Sequence, residues 1–378
     1  MRWLFNLILV LAPILSSYSI YSGLDLGSMA IAILVPLMYI QHPAYFKLPK
    51  YYWMFFIYVL FDSIVLLGNI PIRVILYSFI LLGGCMFIDK RIFLIIYERS
   101  VAICSIFFIV QSLFQLIVGR NIPGIFSFLP TIYGDERDIV GLQMEAQRLS
   151  SFFLEPSYFA QYLFPYLCIN LFANKTTRGV YKALFVSGIL LLLRSGIGLV
   201  ILAFIWLIWF FLIEKISNKV KWRVAILGII PAIFVLTNSS ILEYVMNRTA
   251  ELSIADNAGG RYMSSGFQRF FNGYFVYDNL SPFNKLFGIN PEDLRNTAYY
   301  SGSFLNGISS ILIMEGLFGL VFFVPHLMRL CYRDSVITRV LVICIVFLLF
   351  SEAYFVSCRM QFSMLIAYAY SRQNRINV

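Results

Sequence analysis

Apolar runs of roughly 17–25 residues, the length at which a helix crosses a hydrocarbon core of ~30 Å, recur along the whole chain. They predict helical spans near residues 3–20, 24–40, 51–69, 72–88, 97–118, 157–173, 179–193, 195–213, 221–237, 303–325, 337–356 and 359–370. The seventh and twelfth are short, so ten to twelve spans are expected. The alternating strand pattern of an outer-membrane barrel is absent, and no internal repeat stands out. The pattern predicts an all-α polytopic helical bundle, a single integral membrane domain over residues 1–378. The first run starts at Trp3 with no small-residue cleavage site behind it. It is expected to be a retained helix, not a signal peptide.

Two polar segments interrupt the apolar pattern. One covers residues 119–156 and ends in RLSSFFLEPSYFA. The other covers residues 238–302 and contains Arg248, Arg261, Arg269 and Arg295, with a glycine pair in NAGGRYMSSGFQRF and a second glycine turn in KLFGINPED. A loop of that length is usually functional or disordered. Its aromatic residues (Phe267, Phe270, Phe271, Tyr274, Phe275, Tyr277) argue against disorder, which needs low hydrophobicity. An ordered, partly helical, arginine-bearing cap on the bundle is expected.

Composition agrees. The chain is 60% hydrophobic and 13% charged, against about 25% charged in soluble domains. The net charge of +10 is read as basic loops that orient helices, not as a nucleic-acid surface. The six cysteines have no metal-type spacing and are expected to be buried thiols. With the N-terminus inside, 18 of the 29 Lys and Arg fall on the inner side and 11 on the outer. That excess fits the positive-inside rule. The kinds differ more than the numbers: eight of nine lysines are inside, whereas the outer set is ten arginines and Lys285. Topology needs only positive charge. Arginine's planar fork also binds phosphate bidentately and is less costly to desolvate than an ammonium. The other reading is that these arginines tie loops to acids such as Asp135, Glu136, Glu251 and Asp256.

Individual residues suggest chemistry on the outer side. Glu155 precedes Pro156, so a helix should begin at Pro156 with Glu155 at its positive end. Glu155 is then either a helix-end carboxylate or a catalytic base beside Arg148. Arg194 sits in LLLLRSGIGLV, where Ser195, Gly196 and Gly198 allow a tight turn between two spans. Intramembrane charges usually mark function, with snorkelling to the interface as the alternative. Arg261 follows Gly259 and Gly260, where backbone can bend around an anion, and the next residues could open a helix whose amides favour phosphate. Asp62, Glu315 and Glu352 lie in or near apolar spans as proton-relay candidates, or as partners of the arginines. Both histidines, His42 and His326, fall on the inner side, leaving no histidine base outside. No Walker loop or metal-ligand cluster is visible, and no cofactor or metal is expected.

RLSSFFLEPSYFAQYLFPYL, LLLLRSGIGL, GGRYMSSGFQRF and LFGIN followed by SFLNGISSILIMEGLFGLVFF together resemble, in order and topology, bacterial O-antigen and capsule polymerases of the Wzy type. The likeness covers roughly residues 145 to 325. It implies a glycosyltransferase of the bacterial inner membrane that joins undecaprenyl-diphosphate-linked repeat units at the periplasmic face. Its partners would be the lipid-linked donor and acceptor glycans, membrane lipids and a chain-length regulator. In this reading Glu155, Arg194 and Arg261 are catalytic, and Arg148, Arg269 and Asn306 bind substrate. Related ligases carry a histidine near the start of the re-entering helix, where this chain reads Tyr299, Tyr300, Ser301, Gly302, Ser303; the departure favours the polymerase. The turn reads Arg-Ser-Gly where Ser-Arg-Gly is commoner, which leaves the role of Arg194 open. An O-antigen ligase and a lipid-linked-sugar flippase or transporter are the alternatives.

Overall fold

The computed structural model describes residues 1–21, 24–43, 49–126, 129–131, 149–174, 176–193, 195–212, 222, 271–290, 293–294, 305–332, 335–351 and 357–371. The described chain is all-α apart from one small hairpin. Its helices are α1 (Arg2–Leu15), α2 (Leu26–Gln41), α3 (Lys50–Phe61), α4 (Ile72–Phe87), α5 (Lys90–Val118), α6 (Pro156–Cys168), α7 (Thr177–Leu192) and α8 (Gly196–Leu212). There follow α9 (Gly273–Asp278), α10 (Pro282–Phe287), α11 (Gly307–Met314), α12 (Gly316–Cys331), α13 (Val336–Ser351) and α14 (Cys358–Ser371). Strands β1 (Ser19–Tyr21) and β2 (Leu24–Asp25) pair antiparallel between α1 and α2. Among the described residues, α5 alone is long and apolar enough to cross a membrane; six further apolar helices are shorter. The expected span 221–237 lies outside the described residues, except for Trp222.

Side-chain caps start several helices, because the first turn of a helix has backbone N–H groups without partners. Asp25 accepts from Ser28 N at 2.8 Å to open α2, and Asp89 accepts from Arg91 N and Ile92 N to open α5. Thr176 caps α7, Ser281 caps α10 and Asn306 caps α11. Gly119, at φ 73°, closes α5 in the left-handed conformation that suits a helix end.

Helix α14 is the core of the bundle: from Cys358 to Ala367 every residue is buried. It packs on α4, α6, α12, α13 and α1. Small residues let these helices approach closely. A Cβ on Gly84 of α4 would fall 2.4 Å from the Leu365 side chain of α14.

Two expected spans are not continuous helices. The run 51–69 becomes α3 followed by a π-helical turn from Asp62 to Leu66, ended by Gly68 at φ 64°. The run 303–325 divides at Glu315 into α11 and α12, with Gly316 at φ 69°. The division has a tertiary cause. The segment after α10 wedges against it, Ile289 N donating to Ile313 O at 2.9 Å. A Cβ on Gly316 would lie 2.2 Å from Leu286 O, and one on Gly288 would lie 2.2 Å from Met314 O. Apolar periodicity carries no trace of this insertion.

The chain segments expected on the outer side gather at one end. Tyr18 bridges Thr131, Phe126 N donates to the Tyr18 hydroxyl, and Asn69 reaches Asn290. Lys90 stands 3.6 Å from the Tyr370 ring centroid and Lys182 pairs with Glu98, joining segments expected on the inner side.

Candidate functional site

The site is built where α6 enters the bundle. Helix α5 has 29 residues, about 43 Å at 1.5 Å per residue, and it outlasts its neighbours. The segments on either side of residues 132–148 fold back down its flank. Gln111 donates from Nε2 to Ile122 O at 2.7 Å and accepts from Ser151 N at 3.0 Å. Ser151 Oγ donates to Cys104 O at 2.8 Å. Cys104 lies 14 residues before the end of α5, about 21 Å down its axis. The chain entering α6 is therefore sunk well below the tip of α5.

Ser151 holds φ 53°, the only positive φ at a non-glycine among the described residues. Its backbone presses on Gly124, where a Cβ would fall 1.5 Å from Ser151 O. Such a conformation costs of order 1–3 kcal/mol and persists only where surrounding bonds hold it, often at functional sites. Here the bonds to Gln111 and Cys104 hold it.

Three residues later the chain reaches Leu154, then Glu155, whose extended backbone (φ −135°, ψ 151°) precedes Pro156 as the sequence predicts. Its carboxylate does not cap the backbone amides of α6. It accepts instead from Ser157 Oγ at 3.1 Å and is half-buried. One turn on, Tyr158 and then Gln161 meet Arg359 of α14. The guanidinium carbon lies 3.4 Å from the Tyr158 ring centroid, and Arg359 Nε donates to Gln161 Oε1 at 2.7 Å. Arg359 is only 8% exposed. Desolvating a charge is costly unless it is paired and bonded, and an arginine tolerates it best because its plane can stack while its edge donates. Asp25, also buried, accepts from Ser28 N and Ser28 Oγ and lies within electrostatic reach of Arg359.

Helix α8 joins from another side. Ser195 is buried and accepts from Gly198 N at 3.3 Å, starting the helix. A Cβ on Gly198 would lie 3.1 Å from the Ala160 Cβ of α6. The first turn of α8 therefore abuts the helix that Glu155 opens. The re-entering region forms a second pairing: a Cβ on Gly273 of α9 would lie 2.1 Å from Ser309 Oγ of α11. Asn306, expected to bind substrate, is buried and uses its side-chain oxygen to accept from Ser309 N at 2.8 Å. Arg148, Arg194, Arg261 and Arg269 lie outside the described residues, as does Glu352.

Two of the buried carboxyls expected to matter stand apart from this site. Asp62, fully buried, and Glu315, 5% exposed, flank Tyr58, whose hydroxyl donates to Glu315 O at 2.7 Å. Both Asp62 oxygens and Glu315 Oε2 are buried without a hydrogen-bond partner among the described residues.

Sequence reasoning grouped Arg359 with the outer arginines but did not single it out, and it passed over Asp25, Tyr158 and Gln161. The available signal was a charge and an amide, Arg359 and Gln361, inside the final apolar run. Scans against protein-family models, curated proteins and solved structures found no match for this chain.

Proposed function

We propose that this chain is a multi-pass inner-membrane glycosyltransferase that polymerises undecaprenyl-diphosphate-linked oligosaccharide repeats at the periplasmic face. The observation that carries the reading is the approach of Gly198 to Ala160. It packs the first turn of α8 against the helix opened by Glu155, so two segments distant in sequence meet. These segments carry two of the four motifs on which the Wzy-type resemblance rests.

In the proposed step a sugar hydroxyl of one lipid-linked repeat attacks the anomeric carbon of a growing chain. The bond from that carbon to the diphosphate oxygen breaks, and undecaprenyl diphosphate leaves with the bonding electron pair. Glu155 takes the hydroxyl proton, a task for which a carboxylate within hydrogen-bond reach is suited. Fixed cations placed where charge develops supply the largest share of stabilisation in such reactions. Arg194 and Arg261 are assigned to the diphosphate, with Arg148 and Arg269 behind them. Arg359 holds the entry of α6 from beneath and adds a desolvated positive charge.

The test is glycan length in cells lacking this chain. Single repeats ligated to lipid A core support the polymerase. Bare core with long polymer stranded on undecaprenyl diphosphate points to a ligase. Repeats trapped on the inner face point to a flippase, the second reading, which the buried Asp62 and Glu315 favour because carboxyls of that kind serve proton-coupled transport. At the residue level, Arg261→Ala should cost on the order of 10²–10³ in rate, and Arg261→Lys should not restore it if the contact is bidentate.

A further inference from the structure

A groove of about 590 Å³ runs between α1 and α5 and reaches Cys104 and Phe152, beside the segment that leads to Glu155. Trp3, Leu7, Leu11 and Ile14 line it from α1, at the spacing of one helix face. Ile92, Ile96 and Ile103 line it from α5, and Phe152 closes its outer end. From Trp3 to Ile14 the groove follows 11 residues of α1, about 17 Å. That is just over half of a ~30 Å hydrocarbon core, the share of a single leaflet. Its rim is open: Trp3 is 57% and Ile103 59% exposed.

One charge breaks the apolar lining. Arg99 borders the groove from α5 and is exposed, with no acidic partner among the described residues. Side chains on a helix lean toward its N-terminus, which carries this guanidinium toward the Lys90 end of α5. Arg2 and Arg91, both exposed, stand at that same end. Lipid tails do not solvate a guanidinium, so an arginine on this face is drawn to headgroup depth, where lipid phosphates are the anions at hand. An apolar slot one leaflet deep with a single cation on its wall has the shape and charge of a phospholipid site.

We infer that the groove between α1 and α5 binds one anionic phospholipid of the inner leaflet, with its phosphate on Arg99 and an acyl chain along Leu7 and Leu11. The inference rests on the membrane reading above, and on neither the polymerase chemistry nor the residues assigned to it. Held there, the lipid seals the seam between α1 and α5 behind the segment that carries Ser151 and Phe152.

The measurement is quenching of Trp3 emission by brominated lipids in the full-length protein. Trp3 is one of five tryptophans, so its share is the difference between the wild type and Trp3→Phe. Vesicles of phosphatidylcholine are doped with brominated phosphatidylglycerol or brominated phosphatidylcholine. Half-quenching is expected at an about fivefold lower fraction of the anionic lipid, the factor that one basic residue near a membrane surface supplies. Arg99→Gln should make the two lipids equal. Equal quenching in the wild type, or a preference that survives Arg99→Gln, overturns the site. Displacement of the brominated lipid by a polyisoprenyl phosphate but not by excess phosphatidylglycerol would give the groove to an isoprenoid instead and overturns it too. Protein that stays in solution without detergent or vesicles overturns the membrane reading itself, a result distinct from either.

Discussion

The guanidinium of Arg359 lies 3.4 Å from the ring centroid of Tyr158, while its Nε donates to Gln161 one turn further along the same helix. One side chain of the last helix thus grips two residues of α6 just below Glu155. Stacking uses the flat face and the hydrogen bond uses the edge, so the pair fixes both the height and the rotation of α6.

That grip predicts different outcomes for two substitutions. Arg359→Lys keeps the charge but cannot stack and donate along one plane, so the fold should survive with glycan polymerisation reduced by roughly 10²-fold, as for a lost preorganised donor. Arg359→Ala removes the contact with the Tyr158 ring and leaves the buried Gln161 oxygen without its donor, a loss of about 1–3 kcal/mol for the orphaned acceptor. It should lower both activity and the melting temperature in detergent. Equal melting temperatures and equal glycan length for wild type and both variants would remove Arg359 from the site.

Glu155 separates cleanly into its two readings. Its carboxylate bonds Ser157 and not the backbone of α6, so Glu155→Gln should leave the melting temperature unchanged. As the base it should slow chain extension by about 10²–10⁴, read as a collapse of long glycans to single repeats at equal protein level. Ser157→Ala should shorten chains far less, since it removes an orienting bond and not the proton acceptor.

How much of this was legible in the chain depended on whether the cause was local. Glu155 followed by Pro156 predicts the start of α6 because proline restricts its own and its neighbour's backbone, whatever surrounds them. The division at Glu315 was invisible, because it depends on Leu286 and Gly288 arriving from elsewhere in the chain. Arg359 was legible as a charge at the start of the last apolar run, but its use was not, because only the neighbouring α6 supplies the ring and amide that make it bearable. The arginines of the 238–302 loop carried the clearest chemical signal, and those singled out there, Arg261 and Arg269, lie outside the described residues.

Two glycines with nearly the same backbone angle should respond differently to alanine. Gly68, at φ 64°, has nothing within 4 Å of an added Cβ, whereas Gly316, at φ 69°, would place it 2.2 Å from Leu286 O. Both substitutions incur the left-handed penalty of about 1–2 kcal/mol. Only Gly316→Ala must also push the 286–289 segment off the break between α11 and α12. Gly68→Ala should therefore lower the melting temperature modestly and Gly316→Ala much more. A matching loss in the two variants would mean that the wedge does not hold the break together.

Asp62 and Glu315 decide between the polymerase and the transporter. Their unbonded oxygens are buried at the junction of α3 with α12, beside Tyr58. A polymerase that works on Glu155 and the arginines has no use for a second pair of carboxyls there. The amides Asp62→Asn and Glu315→Gln preserve shape and remove only the capacity to carry a proton. Both variants are expected to keep glycan length within about twofold of wild type, well under the 1.4 kcal/mol that a tenfold change represents. Glycan loss in both, together with repeats accumulating on the inner face, would shift the assignment to proton-coupled transport. Glycan loss with repeats displayed outside would instead draw the pair into the polymerase, linking it to the site through α12 and its contact with α14.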